Sequence, residues 1–360
     1  MTAVTPEIVV LTHFVSPYQV DLFDHIERLR PGALRVYYLR GTSPLRHWSP
    51  KTPAHSAFFL DHGRWVLDHA RRDFGAARFA VFNYYVEGPI AALLAIRAKS
   101  GKPWSFWGER PGYRYPAIGR LVRRWKLRQL HASQQPIWGI GNWAVKAYRD
   151  EFGDDRDYVN LPYFSDLAPL VRPPAPMTGG GMTFLYSGAL SARKGVDLLA
   201  RAFKRLAQVT PTVHLKIMGN GSLETELRRT LADCHGQVEW IGFKDWHELA
   251  PVYASAHVLC VPSRYDGWGL VVPEGLAAGL PVIGTDRTGA ALELITPGHN
   301  GWLVPAADED ALYDCLTRAA ALDEPSWRTM SNAARAAVSE HTLANGAMQF
   351  LAATDPVHPR

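Results

Sequence analysis

The sequence predicts an α/β chain of two doubly wound parallel-sheet domains facing a cleft. Three observations predict it. At 360 residues the chain exceeds one ordinary hydrophobic core and suits two domains of about 150–180 residues each. Short apolar runs alternate with helix-like stretches, and in the second half they recur about every 20–30 residues, the spacing of successive strand–helix units. Between Leu167 and Gly181 the alternation stops in Pro173, Pro174, Pro176, Gly179, Gly180 and Gly181, a stretch unfit for helix or central strand and therefore expected to be the linker. Both halves are thus expected to be Rossmann-like.

The first half opens with a buried-strand run, Ile8–Leu11, and a loop containing Ser16 and Pro17. A helix is expected over Val20–Leu29, where Leu22, Phe23, Ile26 and Leu29 share one face. Further strands are expected at Leu34–Leu39, Phe79–Phe82 and Trp104–Trp107. The apolar stretch Phe79–Ile96 is broken by Asn83, Glu87, Gly88 and Pro89, so it reads as a strand followed by a helix rather than a membrane span. In the second half the expected strands are Thr183–Tyr186, Val213–Met218, Val238–Ile241, Val258–Val261, Pro281–Ile283 and Gly301–Val304. Expected boundaries are 1–170 for an acceptor-side domain, 171–335 for a donor domain, and 336–360 for a terminal helix returning to the first domain.

Composition excludes several classes. With 47% hydrophobic and 20% charged residues, the chain is globular rather than disordered. Met1–Glu7 has no basic region and the run after it is too short for a signal or span, so no transmembrane segment is expected. Three widely spaced cysteines, Cys234, Cys260 and Cys315, fit neither a disulfide framework nor a zinc site, so a reducing cytoplasm is expected. The net charge of +5 is concentrated in part at 114–128, where Arg114, Arg120, Arg123, Arg124, Lys126 and Arg128 interleave with Ile118, Leu121, Val122, Trp125 and Leu127. Two readings stand: a surface helix with its apolar face in the core, which is favoured, or a peripheral contact with an anionic membrane at the inner face of the cell. No nucleic-acid motif accompanies the charge, so no nucleic-acid partner is expected.

Ligands of open parallel sheets bind beyond the carboxyl ends of strands, so the loops there are the candidate sites. After Tyr186 come Gly188, Arg193 and Lys194 ahead of a helix, a seat for a diphosphate or a solvated capping turn. Gly219, Asn220 and Gly221 make a tight turn without the third glycine of a dinucleotide fingerprint. Gly242 and Phe243 can hold a flat base or close a plain turn. The loop from Ser263 to Val282 is the most informative: Gly267 and Gly269 flank Trp268 and precede Leu270, and Pro273 is expected to open a short helix with Glu274 in its first turn. Asp266 and Glu274 are then two carboxylates able to accept hydrogen bonds from the hydroxyls of two sugar rings.

Here the stretch from Phe184 to about Ala311 resembles the donor domain of retaining glycosyltransferases of family 4, which have the GT-B fold. It has Asp266, seven intervening residues and Glu274, then Ala277, Ala278, Gly279, Leu280, Pro281 and Val282, then Gly289 and Glu293; Lys194–Asp197 and Met218–Gly221 fall in the family's order. The resemblance implies transfer of a sugar from a nucleoside-diphosphate sugar to an acceptor hydroxyl, with retention, in glycan, polysaccharide or glycolipid assembly. It implies Glu274 on the nucleotide ribose, Asp266 near the transferred sugar, and the backbone of Gly267–Leu270 facing sugar and diphosphate. Lys194 then neutralises the leaving group and Gly242–Phe243 holds the base.

Two positions depart from the family: Asp266 stands where glutamate is usual, and Ala189 where arginine is usual, with Arg193 as a substitute cation. The N-terminal half resembles the family loosely, lacking the glycine pair after the first strand. His13, Tyr18 and Arg110 are its acceptor-side candidates, and Glu109 is a catalytic candidate that positions an acceptor hydroxyl or stabilises positive charge developing on the sugar, unless it simply pairs with a local arginine. No metal and no cofactor beyond the sugar nucleotide is expected, since Asp155–Asp157 reads as a charged loop and Asp308–Asp310 as a helix N-cap. A carbohydrate or lipid-linked acceptor is expected. Two other classes remain open: a sugar-nucleotide epimerase of the same fold, and a non-catalytic partner that has lost turnover.

Overall fold

The computed structural model describes residues 5–41, 49, 51–83, 88–111, 118–173, 176 and 181–355. Arg114, the side chains of Ile118, Arg120 and Arg123, and Pro174, Gly179 and Gly180 of the expected linker lie outside the described residues, as does Glu87. The chain divides into two units, Met1–Ser165 with Leu343–Arg360, and Asp166–Thr342.

The first unit runs β1 (Ile8–Phe14), α1 (Pro17–Leu29), β2 (Leu34–Arg40), β3 (Ser56–Phe59), α2 (Arg64–Ala76), β4 (Phe79–Phe82), α3 (Gly88–Lys99), β5 (Trp104–Gly108), α4 (Ile118–Lys126), α5 (Arg128–His131), β6 (Ile137–Gly139), α6 (Asn142–Phe152) and β7 (Tyr158–Asn160). Among the described residues the strands form one sheet, ordered β3-β2-β1-β4-β5-β6-β7, with parallel pairing throughout. The Ile8–Leu11 part of β1 is fully buried because helices cover both faces, and this is why the strand reads as an unbroken apolar run. Helix α1 starts three residues before the expected Val20: Pro17 fits a first turn whose N–H groups have no helical partner, and the Val20 amide already donates to the Ser16 carbonyl at 3.0 Å. Its last expected core residue, Leu29, is half exposed instead.

The second unit runs β8 (Thr183–Ser187), α7 (Val196–Val209), β9 (His214–Met218), α8 (Glu224–Thr230), β10 (Val238–Gly242), α9 (Leu249–Ala254), β11 (Val258–Val261), α10 (Val271–Ala277), β12 (Val282–Thr285), α11 (Gly289–Leu294), β13 (Gly301–Val304), α12 (Glu309–Ala320) and α13 (Glu324–Ala337). Its sheet, again parallel, is ordered β10-β9-β8-β11-β12-β13 among the described residues. Helices α7 and α12 pack together on one face, burying Leu199, Phe203, Leu206, Leu312, Cys315 and Leu316. Asp308 caps α12, accepting from the Ala311 amide at 2.9 Å. Helix α10 begins at Val271, two residues before Pro273, because the chain already turns at Leu270 and the Val272 amide donates to the Gly269 carbonyl at 3.0 Å.

The first unit ends at 165 rather than 170 because the turn Ala168–Leu170 packs on α9 and α10. The final helix, α14 (Leu343–Thr354), belongs to the first unit: it packs on α1, and its Phe350 ring lies 5.3 Å from that of Trp138 and 6.0 Å from that of Trp107. Its C-terminal carbonyl, at Thr354, accepts from the Arg78 guanidinium at 3.0 Å.

The favoured reading of the basic segment is overturned. Leu121, Val122 and Trp125 of α4 are exposed at 72%, 46% and 67%, whereas Leu127 and Leu130, just beyond the helix, are buried. The core is filled from α5 and the linker into it, which leaves the apolar arc of α4 facing outward.

Each sheet reverses its winding direction once, between β1 and β4 in the first unit and between β8 and β11 in the second. At such a switch point the loops leaving adjacent strands diverge and open a crevice at the carboxyl ends. The lysine loop after β8 and the Asp266 loop after β11 therefore leave neighbouring strands at the switch point of the second unit.

Candidate active site

Lys194 sits in a short helical turn, Ala192–Lys194, ahead of α7. Gly195 follows in the left-handed region, at φ +69°, with its Cα so close to the Pro262 carbonyl that a Cβ would lie 1.8 Å from that oxygen. This contact pins the lysine loop to the end of β11. The Lys194 ammonium consequently reaches across and pairs with Asp266 Oδ2. Arg193 points the same way, donating to the Tyr265 carbonyl at 3.0 Å, with its guanidinium 3.9 Å from Asp266 Oδ1. Two cations and one carboxylate, far apart in sequence, thus meet at one point.

Asp266 is held through its backbone. Its amide donates to the Arg287 carbonyl at 2.9 Å and its carbonyl accepts from the Gly289 amide at 3.2 Å. A Cβ on Gly289 would lie 2.4 Å from the Gly267 carbonyl, so this glycine is required for close packing of two loops. Thr285 locks the same junction, donating to the Ser263 carbonyl at 2.7 Å. Beneath it Asp197 is forked by both terminal nitrogens of Arg264 at 2.6 Å. Burial would raise the Asp197 carboxyl, but the Arg264 fork outweighs burial and holds it below the ordinary range.

Glu274 lies in the first turn of α10, partly buried. The Tyr253 hydroxyl of α9 donates to its Oε2 at 2.9 Å and lies 3.1 Å from Ser187 Oγ at the end of β8. Burial pushes the Glu274 carboxyl up to about 7, against the opposing pull of the Tyr253 hydroxyl and of Lys194. A carboxyl so shifted, next to a cation at a strand-end crevice, is the arrangement expected of a binding or reacting group.

The remaining donor-side candidates divide by role. Gly219 and Gly221 serve loop packing: a Cβ on Gly219 would lie 1.9 Å from the Gly188 carbonyl, and one on Gly221 2.5 Å from the Leu190 carbonyl. Gly188 in turn donates its amide to the Met218 carbonyl at 3.0 Å. Gly242, at φ +75°, has open space around its Cα, and the next residue, Phe243, is exposed at 41%. The Trp268 indole is buried and stacked on His341 at 6.0 Å, so Gly267, Trp268 and Gly269 can offer only backbone to a ligand, while the Leu270 side chain is half-buried. Gly269, at φ +90°, supplies the left-handed turn there. Ala189 is exposed and its carbonyl accepts from the Tyr186 hydroxyl at 2.7 Å.

In the first unit the strand ends gather a second polar group. Thr12 donates to Asn83 Oδ1 at 3.0 Å, Gln19 donates to the same oxygen at 2.8 Å, and Asn83 donates to the Trp107 carbonyl at 2.9 Å. The Tyr18 ring lies 4.8 Å from that of Tyr163. Burial, then the neighbouring Tyr18 and Glu109, hold the Tyr163 hydroxyl well above its ordinary range. Tyr18 and Glu109 are thus brought together by a residue the sequence did not single out. Arg110 turns to the Trp143 ring, 4.5 Å from its centre, and the His13 ring lies 4.9 Å from that of Phe14.

Tyr253, Asn83 and Tyr163 were not legible as site residues, since no motif surrounds them and each enters a site through its place on a strand end or helix; Ser187 opens the lysine loop, but its contact with Tyr253 was not legible. Among the described residues no group of three or more His, Cys, Asp or Glu side chains is placed to hold a metal.

Residues 173–337 match the family model of glycosyl transferases group 1. The matched segment, which is less than half of the chain, contains the whole Lys194, Asp266 and Glu274 cluster. A phosphatidylinositol monomannoside mannosyltransferase of Corynebacterium glutamicum, described as GDP-mannose-dependent, is 28% identical over 228 residues, 59% of each chain. A phosphatidyl-myo-inositol mannosyltransferase of Mycolicibacterium smegmatis is 29% identical over 242 residues, 64% of this chain and 55% of that one. The matches thus span less than two thirds of either relative. Among solved structures, Anabaena HepE in complex with UDP superposes with a TM-score of 0.76 at 15% identity, covering 96% of this chain and 98% of that one. Sucrose-phosphate synthase from Thermosynechococcus elongatus gives 0.74 at 20% identity over 96% and 98%. Each unit thus has the Rossmann-like α/β fold of these GT-B structures.

Proposed function

We propose that the chain is a retaining glycosyltransferase of family 4 that moves a sugar from a nucleoside-diphosphate sugar to an acceptor hydroxyl in glycan, polysaccharide or glycolipid assembly. The observation that carries this reading is the convergence of Lys194, Arg193 and Asp266 next to the partly buried Glu274 at the ends of β8 and β11. Glu274 accepts hydrogen bonds from the nucleotide ribose, and Asp266 accepts them from the transferred sugar. Lys194 and Arg193 oppose the charge that builds on the departing diphosphate; this preorganised stabilisation needs no metal. The bond from the anomeric carbon to the diphosphate oxygen breaks with its electron pair on the phosphate. The acceptor oxygen bonds to that carbon from the face being vacated, and its proton passes to the departing phosphate.

Arg193 beside Asp266 supplies a cation in place of the family arginine replaced by Ala189, and this favours turnover over a silent partner. His13, Tyr18 and Arg110 are the proposed acceptor-side residues, and Glu109 is the proposed catalytic group that positions the acceptor hydroxyl or stabilises positive charge on the sugar. The phosphatidylinositol substrates named for two relatives support a lipid-linked acceptor. Three buried, unpaired cysteines support a reducing compartment, the cytoplasm, at the inner face of the membrane. Among the described residues no helix is long and apolar enough to cross a membrane.

A thermal-shift screen of UDP-, GDP-, ADP- and dTDP-sugars identifies the donor, since a ligand at 100 times its Kd stabilises by about 2.7 kcal/mol. Turnover of the labelled donor then tests the site. Lys194→Ala is expected to lower transfer by about 100- to 1,000-fold with an unchanged circular dichroism spectrum. Wild-type turnover in that variant overturns the assignment.

A further inference from the structure

Sugar transfer leaves one surface of the first unit unexplained. Between Glu109 and Asp150 the sequence carries nine arginines and lysines and no aspartate or glutamate, although the whole chain nets only +5. At the centre of this stretch stands α4. Its Leu121, Val122 and Trp125 are exposed at 72%, 46% and 67%, and at 3.6 residues per turn they share one arc of about 100°. Leu127 and Leu130 anchor the segment in the core on the opposite side. Arg124 and Arg128 are exposed with that arc, and Lys126 is half-buried. The Arg128 guanidinium lies 5.4 Å from the centre of the Trp125 ring and donates to the Trp125 carbonyl at 3.2 Å.

We propose that α4 docks on an anionic lipid bilayer, with Leu121, Val122 and Trp125 entering the headgroup boundary while Arg124, Lys126 and Arg128 engage lipid phosphates. Three features select this occupant. A free polyanion would engage the cations but leave the leucine, valine and tryptophan in water. A second copy of the chain would bring two uniformly cationic segments together. An anionic membrane satisfies both halves of the surface, because tryptophan is favoured at the headgroup level and flanking cations meet the negative leaflet. The inference is independent of sugar transfer.

The full-length chain is tested by co-sedimentation with phosphatidylglycerol–phosphatidylcholine vesicles and with pure phosphatidylcholine vesicles. The chain is expected to bind the anionic vesicles at low salt and to release as salt rises and screens the cations. Leu121→Ser with Trp125→Ser should weaken binding by about tenfold or more through lost apolar burial. Arg124→Gln with Arg128→Gln should weaken it by about 25-fold, at about fivefold per cation. All four residues are exposed, so unchanged thermal melting certifies the fold. Brominated acyl chains should quench wild-type fluorescence more than that of Trp125→Phe. Absence of wild-type binding at low salt, equal binding to neutral vesicles, or undiminished binding by either double variant overturns the proposal. So does dimerisation through this face, seen in sedimentation velocity and abolished by the serine variant. A failed transferase assay bears on none of these outcomes.

Discussion

Replacing Glu274 by glutamine keeps the side-chain shape and the oxygen that accepts from Tyr253, but removes an ionisable group. Burial has pushed that carboxyl from its usual 4.5 up to about 7. The folded chain therefore holds this proton more tightly than the unfolded chain. The stabilisation is fully present below about pH 4.5 and is lost as pH rises through 7. Between 4.5 and about 7, at about 1.36 kcal/mol per pH unit, the ionised carboxylate becomes a burden of about 3 kcal/mol at pH 8. Glu274→Gln should accordingly be more stable than wild type at pH 8 by up to about 3 kcal/mol, or about 6–12 °C in Tm, and of similar stability near pH 4.5. Nucleotide affinity should move the other way. Hydrogen bonds to a charged group are worth about 1.5–3 kcal/mol, so the variant should bind the nucleotide about 10- to 150-fold more weakly. Thermal melting at the two pH values and calorimetric titration with the nucleotide read both effects. A variant that is no more stable at pH 8, or that binds nucleotide as wild type does, refutes the reasoning.

Tyr253→Phe removes the donor that opposes the upward shift of Glu274, so the pH below which nucleotide affinity declines should move above 7. Titration calorimetry across pH 6–9 should show the variant weak near pH 7 and recovering toward pH 9; an unshifted profile counts against the coupling. Gly219→Ala forces a side chain to within 1.9 Å of the Gly188 carbonyl in a backbone region unsuited to it. The expected loss is about 3 kcal/mol or more, read as a fall in Tm of about 6 °C or more, and an unchanged Tm would show that the two loops part without cost.

The strands of the second unit were legible because strands covered on both faces are unbroken apolar runs. β3, β6 and β7 were not. Ser56–Phe59 is a partly exposed edge strand, and Ile137–Gly139 and Tyr158–Asn160 are three residues each, too short to carry a period. Asp266 and Glu274 were legible as a pair because one loop and one helical turn carry both, and their spacing survives any packing. The meeting of Lys194 with Asp266, 72 residues apart, and of Tyr253 with Glu274 depended on which strands became neighbours.

The order of elements, the two-sheet architecture and the identity of the acids were therefore determined by local sequence, since burial pattern and residue spacing act within a few residues of chain. Tertiary structure decided which side of an amphipathic helix meets the protein. The period of α4 announces an apolar arc but contains no information about where the core lies, and Leu127 and Leu130 claimed the core first. It also decided the proton affinity of Glu274. That depends on how much water and how many partners surround the carboxyl, a property of the assembled neighbourhood and not of the residue.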